Sequence, residues 1–243
     1  MGGPLYDLHI HSCLSPCGDA DMTPGNIAGM AKLNGLRIAA LTDHNTCLNC
    51  PAFFEACRVY GVVPIAGMEL TTMEEIHVVC LFATLEKAME FDRFVAGHRM
   101  KIKNRPDIFG EQIIMDVRDD PAGCVDELLI LATDLDLMQA VREVRRFGGA
   151  AFPAHIDKQA NGIIGILGDF PAEPGFVAAE FHDVGNISGY KAKYPILEGL
   201  TLLTNSDAHM LESMPIEPAV FSGLEDDDNE QTLRRKIVAI LGK

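Results

Sequence analysis

The 243-residue sequence contains no apolar run approaching the roughly 18 residues that suggest a membrane span. Its opening residues, MGGPLYDLH, form neither a basic nor an apolar stretch, so they do not read as a secretory signal. Low-complexity tracts and internal repeats are missing too. With 48% hydrophobic and 23% charged residues the composition is globular, which excludes a disordered or collagen-like chain. Basic residues are scarce: 20 Lys and Arg face 35 Asp and Glu, leaving a net charge of −15. That balance disfavours a protein working mainly through phosphate-backbone attraction, so long nucleic acid is not the expected partner. An anionic substrate must be recruited by something other than net charge. The seven Cys are odd in number and lack the density of a disulfide scaffold. They fit a reducing compartment with free or metal-binding thiols, and the expected location is cytoplasmic, with no membrane partner.

What is present is an alternation of short apolar runs with helix-like stretches. The runs are Pro4–Ile10, Leu36–Leu41, Val62–Ala66, Ile76–Phe82, Gly149–Ala154, Phe176–Phe181 and Gly199–Leu203, with Ala219–Phe221 as a shorter last one. They are nearly continuous rather than alternating, as in parallel strands buried on both faces. Thr23 is placed to cap a helix with Pro24 in its first turn and Gly35 at its end, and Thr84 to cap another. Leu137, Val141 and Val144 follow helical spacing before Gly148 and Gly149. Strand and helix repeated about seven times predict an α/β fold with a parallel sheet, and the length favours a (β/α) barrel related to the TIM barrel over a doubly wound sheet. The whole chain, 1–243, reads as one domain.

Polar residues gather where these runs end. His9 and His11 close the first, Asp43 and His44 the second, Glu69 the third, His155 the fifth, and Asp207 and His209 the last long one. In parallel α/β folds ligands bind outside the carboxyl ends of the strands, so these residues should meet at one mouth. Positions i and i+2 of a strand share a face about 7 Å apart, which pairs His9 with His11 and Asp207 with His209. Histidines mixed with carboxylates suit Zn, Mn or Fe better than Ca or Mg. The set exceeds the three or four ligands of one ion and suffices for two or three.

The motifs HIH, TDHN, GMEL, EIHVV, AHID and NSDAH, in that order between His9 and His209, resemble those of the PHP (polymerase and histidinol phosphatase) superfamily. The resemblance implies a distorted (β/α)7 barrel with a trinuclear metal centre that hydrolyses phosphate esters. By position it implies His9, His11, His44, Glu69 as a bridging carboxylate, His77, His155, Asp207 and His209 as ligands. A further Asp usually follows the first motif in the family. Here that stretch, Ser15 to Asp21, carries extra residues; counting back from Pro24 favours Asp19, with Asp21 as the alternative.

Clustered divalent ions lower the pKa of a bound water into the neutral range and shield phosphoryl oxygens, so no Ser-His-Asp or Cys-His nucleophile is needed. Asp207 and Glu69 are the catalytic candidates, Asp207 assisting proton transfer, and Lys158 is a candidate phosphate anchor. The expected activity is a metal-dependent phosphatase or phosphodiesterase acting on a small phosphorylated metabolite or nucleotide. The alternatives are amidohydrolase-type cleavage of a C–N or lactone bond and a non-catalytic, metal-binding regulatory domain. Asp7 and Asp43 either orient imidazoles or, for Asp7, bond to backbone inside the barrel. His77 has a second reading as a core histidine, and His182 stands where it would line the mouth. Cys13, Cys17, Cys47 and Cys50 leave open an additional metal site, the plainer reading being free thiols. Glu225–Asp228 reads as a solvated acidic loop. From about 101 to 133 the pattern is an irregular or helical insertion between the fourth and fifth strands. If it folds over the mouth it restricts entry to compact ligands, with Glu111, Asp116, Asp119 and Asp120 repelling a polyanionic strand.

Overall fold

The computed structural model describes residues 3–215, 218–225 and 228–242. Three parallel strands open the fold, β1 (Leu5–Ile10), β2 (Ile38–Leu41) and β3 (Val63–Thr71), joined by helices α1 (Pro24–Leu33) and α2 (Cys50–Tyr60). Then come β4 (His77–Phe82), α3 (Leu85–Ala96), the short α4 (Pro106–Phe109), the hairpin β5 (Ile113–Met115) and β6 (Pro121–Cys124), and α5 (Leu137–Arg146). The chain continues through β7 (Ala150–Pro153), α6 (Ile163–Leu167), β8 (Ala178–Phe181), α7 (Ile187–Lys193), β9 (Thr201–Thr204), β10 (Ala219–Val220) and α8 (Glu230–Leu241). The main sheet has the order β10-β1-β2-β3-β4-β7, and β8 pairs with β9 in a separate parallel ribbon. The ring closes without a continuous ladder: the loop that follows β9 meets β1 through one bridge, Ile10 to Ala208, and through side-chain bonds such as Leu8 N to Asn205 Oδ1. This is the distorted barrel expected.

The helix signals act through ordinary capping. Thr23 accepts from Asn26 N at the start of α1, Thr84 from Lys87 N at the start of α3, and Asp136 forms a reciprocal capping box with Gln139 at α5. Gly35 and Gly148 follow α1 and α5 with positive φ of 75° and 79°, which a residue with a Cβ adopts only with strain.

The sheet departs from the all-parallel expectation at β4, which runs antiparallel to both β3 and β7. The cause is the connection: residues 72–76 form a tight turn closed by Thr72 N and Ile76 O, and so short a link joins only antiparallel strands. Both strands are buried throughout, so their composition carries no period to betray direction. The reversal puts the first residue of β4, His77, at the mouth.

Alternate side chains divide the apolar residues into two layers. Ala39, Leu41, Met68 and Val78 pack under α1, α2, α3 and α5. Ile38, Ala40, Val63 and Ile65 lie on the opposite face, which α8 covers with Leu233, Ile237, Val238 and Leu241. In β1 the alternation breaks: Tyr6 and Leu8 belong to the α8-covered layer and Ile10 to the other, with a register shift between Asp7 and Ile10. Such a bulge re-aims side chains. Below it Leu8 fills the core, and above it His9 and His11 face the mouth on the Glu69 side of the sheet.

The segment from 101 to 133 is α4 plus the β5–β6 hairpin, and it lies across the loops that follow β1 and β2. Ile113 N donates to Cys13 O, Asn49 bridges Ile113 O and Met115 N, and Asn45 Nδ2 donates to Leu129 O and Leu131 O. Its route differs from a direct exit at the mouth: β4 ends at the far end, and α3 carries the chain back. Asp119 is not a free charge there. Its carboxylate accepts from Thr23 Oγ1 and Gly25 N at the start of α1, where an anion is favoured. Asp226 and Asp227 of the acidic stretch lie outside the described residues. Of its other two members, Glu225 is exposed and Asp228 pairs with Lys236.

Candidate metal centre

Glu69 stands at the centre of the mouth, 1% exposed, with both oxygens surrounded by imidazole nitrogens. Its Oε1 lies 2.8 Å from His77 Nδ1, 3.1 Å from His155 Nε2 and 3.3 Å from His9 Nε2. Its Oε2 lies 3.1 Å from His44 Nδ1 and 3.3 Å from His11 Nε2. Asp207 Oδ1 joins from the loop that follows β9, 3.2 Å from His11 Nε2 and 3.4 Å from His9 Nε2. His209 stacks on His11 with ring centroids 4.2 Å apart. Eight of the nine residues expected as ligands therefore meet here. Their atoms form three overlapping groups: His11, His44 and His209; His9, His11, Glu69 and Asp207; His44, Glu69 and His77.

The ninth, Asp19, is elsewhere. Its carboxylate turns to accept from Asp21 N, and both Asp19 and Asp21 are exposed. The link from Asp19 to the site is its backbone, whose N–H donates to His209 O.

The loops that carry these residues hold strained backbone. Asn45, His155 and Asp207 have φ of 53°, 29° and 51°, a region that non-glycine residues enter only when their surroundings impose it. Asn45 shows how. Its N–H donates to Glu69 O, its Oδ1 accepts from Thr71 N, and its Nδ2 holds the two carbonyls of the 101–133 segment. Arg99 Nε donates to Asn45 O, and Asp92 accepts from Arg99, Thr46 and Cys47 in a buried clamp behind the loop.

Imidazole orientation is set one layer out. Glu180, at the end of β8, accepts from His9 Nδ1 at 3.0 and 3.1 Å, from His155 N and from Asn205 Nδ2. The sequence reading passed over it in favour of its neighbour His182. The signal was available: a lone carboxylate in a short apolar strand that ends at the mouth. Asp43 acts on His11 through Ser15, whose Oγ lies 2.7 Å from Asp43 Oδ1 and 2.9 Å from His11 Nδ1. Asp7 touches no imidazole; it accepts from His9 N and from the N–H and hydroxyl of Ser206, so the backbone reading of this residue is the one that applies.

Lys158 sits at the rim with Nζ 2.8 Å from Asp207 Oδ2. His182 is exposed, and His98 pairs with Asp134. The four cysteines do not converge on one point: Cys13 faces Ile113 O, Cys47 and Cys50 face Gly67 O, and Cys17 is exposed.

Burial pushes the Glu69 carboxyl up, but the imidazoles of His77, His9 and His44 outweigh it and hold the group well below the usual carboxylate range. Asp207 is held low in the same way, by His9 and His11 against burial. Burial also disfavours charge on His9, yet Glu180, Glu69 and Asp207 raise it well above the ordinary value. His11 is raised to about 9 by Asp207 and Glu69 against burial. On the outer side burial and the neighbouring rings keep His44 well below its ordinary value and His209 at about 4. Asp7, desolvated, rises to about 6.

The residues fit a metal centre. His44 Nδ1, His155 Nδ1 and Asp207 Oδ1 are buried without a hydrogen-bond partner among the described residues, and His9 Nε2 and His11 Nε2 face each other at 3.1 Å. Buried polar atoms left this way are costly unless a cation completes them. Ligand atoms about 2.0–2.2 Å from a shared tetrahedral ion stand about 3.3–3.6 Å apart, close to the spacings here.

Residues 7–140, more than half of the chain, match the PHP domain, and the chain belongs to that family. It is 34% identical over 79 residues to a 5'-3' exoribonuclease of Haemophilus influenzae, a match covering 31% of this chain and 28% of that one. It is also 34% identical over 76 residues to an uncharacterized protein of Methanocaldococcus jannaschii, covering 28% of this chain and 44% of the relative. The chain thus matches less than half of the length of either. Among solved structures, a lesion-specific endonuclease from Pyrococcus furiosus aligns with a TM-score of 0.59 at 20% identity, over 86% of this chain and 49% of that one. An amidohydrolase from Chromobacterium violaceum aligns with a TM-score of 0.59 at 18% identity over 94% and 96%. So does a Bifidobacterium adolescentis protein provisionally assigned as a metal-dependent phosphoesterase, at 15% identity over 98% and 96%. At these identities the likeness is one of fold.

Proposed function

We propose that the chain is a metal-dependent hydrolase of phosphate esters whose substrate is a small phosphorylated metabolite or nucleotide. The observation that carries this reading is one buried carboxylate, Glu69, ringed by five imidazoles within 3.3 Å at the open end of a PHP-family barrel. Two or three divalent transition ions (Mn, Zn or Fe) held by His9, His11, His44, Glu69, His77, His155, Asp207 and His209 would supply an activated water and neutralise phosphoryl charge. Glu69 presents an oxygen to each side of the cluster, the placement a bridging ligand needs. Glu180 and the Asp43–Ser15 pair fix the imidazoles of His9 and His11 so that their Nε2 atoms stay turned inward. Asp207 is the acid–base candidate: its Oδ1 faces the cluster while its Oδ2 meets Lys158 at the rim. Lys158 is the one Lys or Arg paired to the cluster among the described residues, and it is placed to receive a phosphate oxygen.

Small esters are favoured over polymers because the 101–133 segment covers one side of the mouth and the chain carries −15. The partial identity to an exoribonuclease supports a second reading, a nuclease. The deciding experiment measures phosphate release from mononucleotides, sugar phosphates and histidinol phosphate with Mn2+, and compares a mononucleotide with an oligonucleotide of about 20 nucleotides. Faster turnover of the oligonucleotide establishes the nuclease reading. Hydrolysis of carboxamides or lactones with none of phosphates overturns both.

A further inference from the structure

The incomplete closure of the barrel leaves an opening beside the metal centre. Between the paired β1 and β10 on one side and the end of β9 on the other lies a cleft of about 420 Å³, lined also by the loops that follow β8 and β9. This is within the roughly 300–1,000 Å³ of small-molecule sites. Its floor is the outer layer of the cluster. Asn205 holds Glu180 and through it His9, and Ser206 holds Asp7 and directly precedes Asp207.

The walls are of two kinds. Tyr6, Val184, Pro215 and Ala219 present apolar surface, whereas the His182 ring and the Ser213 hydroxyl line the cleft with no hydrogen-bond partner among the described residues. Among the described residues no Lys or Arg lines it, and its carboxylate, Asp7, is buried. A second phosphate would find no counter-charge there. An apolar wall facing two free hydrogen-bonding groups suits a neutral ring carrying hydroxyls.

We propose that this cleft receives the alcohol portion of the substrate, an uncharged, hydroxyl-bearing ring of nucleoside or sugar size, while the phosphate faces the Glu69 cluster. The assignment rests on the phosphate-ester reading above. Because the 101–133 segment lies across the loops after β1 and β2, substrate enters from the β8–β9 side, and the cleft determines which alcohols are accepted.

The test uses the metal-loaded full chain and free alcohols that carry no phosphate. Ribonucleosides form one arm and ribose and other neutral sugars the second, with binding followed by titration calorimetry and ligand-observed NMR. One arm should bind wild-type protein, and Ser213→Trp should weaken that binding by about tenfold or more with unchanged metal content. Val184→Trp, at a position 69% exposed, gives the same readout should the first variant fail to fold. The arm that binds identifies the alcohol class. Absence of binding in both arms, or wild-type binding in the folded Trp variants, overturns the cleft assignment. Alcohol binding without hydrolysis of any phosphate ester instead removes the activity reading and leaves the cleft standing.

Discussion

Metal uptake by this site should be driven strongly by pH. In the metal-free protein, against burial, Glu180, Glu69 and Asp207 hold His9 well above its ordinary value, and Asp207 and Glu69 hold His11 at about 9, while their Nε2 atoms stand 3.1 Å apart, so the pair holds one proton between those two nitrogens at pH 7. An ion accepts imidazole only in its neutral form. Loading the set of His9, His11, Glu69 and Asp207 must therefore expel about one proton at pH 7, and the apparent affinity should rise by up to about tenfold between pH 7 and 8. His44 and His209, already neutral, add nothing to this count. The sign for folding is opposite. A histidine whose folded pKa is raised contributes stability that is fully present below about 6.5 and lost as pH climbs through about 9. For His11 that is at most about 3 kcal/mol. The metal-free protein should thus lose melting temperature from pH 6.5 to 9, while the loaded protein does not. Calorimetric titration with Zn2+ in two buffers of different ionisation enthalpy counts the protons directly. A binding enthalpy independent of buffer at pH 7 would refute the reasoning.

Other consequences are simpler to measure. Glu69→Ala should lose metal and activity together, from a wild-type content of two to three equivalents by elemental analysis; wild-type turnover in the variant, or at most one equivalent in the parent after reconstitution, removes the multinuclear reading. Glu180→Gln should weaken metal affinity by about 10- to 100-fold with the fold intact, since it loosens His9 without touching the ions. An unchanged affinity means that the bond between Glu180 and His9 is incidental. Asp92→Ala leaves Arg99 buried and unpaired and should cost about 3–5 kcal/mol in chemical denaturation, with a smaller loss showing that the clamp behind His44 is solvated.

The ends of strands were readable because chemistry there interrupts packing. A histidine or carboxylate closing an apolar run stands out against Leu and Val, and five such endings in order point to the mouth. Direction and curvature were not readable. Val63–Thr71 and His77–Phe82 are buried on both faces, so no polar period distinguishes a hairpin from two parallel strands. The bulge in β1 leaves no local composition signal, yet it determines that Leu8 is core and His9 is not. α2 and α8 were not anticipated either, although Leu233, Ile237 and Leu241 keep helical spacing; Asn229 caps α8 only weakly in sequence terms, without an acidic or glutamine partner three residues on.

Asp19 and Glu180 err in opposite directions for one reason. Spacing along the chain measures contour, whereas joining a cluster depends on which way the last residue of a loop turns. Between Ser12 and Met22 the loop closes on itself through Ser15 N to Ser12 O, Gly18 N to Ser15 O and Met22 N to Asp19 O. Those turns consume the length by which Asp19 would reach inward, and its carboxylate satisfies Asp21 N instead. Glu180 needs no reach: the parallel pairing of β8 with β9 sets Glu180 opposite Leu203, just below the Asn205–Asp207 loop, and carries it under His9. A carboxylate borne by a strand that already ends at the mouth is therefore a stronger candidate for the site than one carried by a long loop, whatever motif the loop approximates.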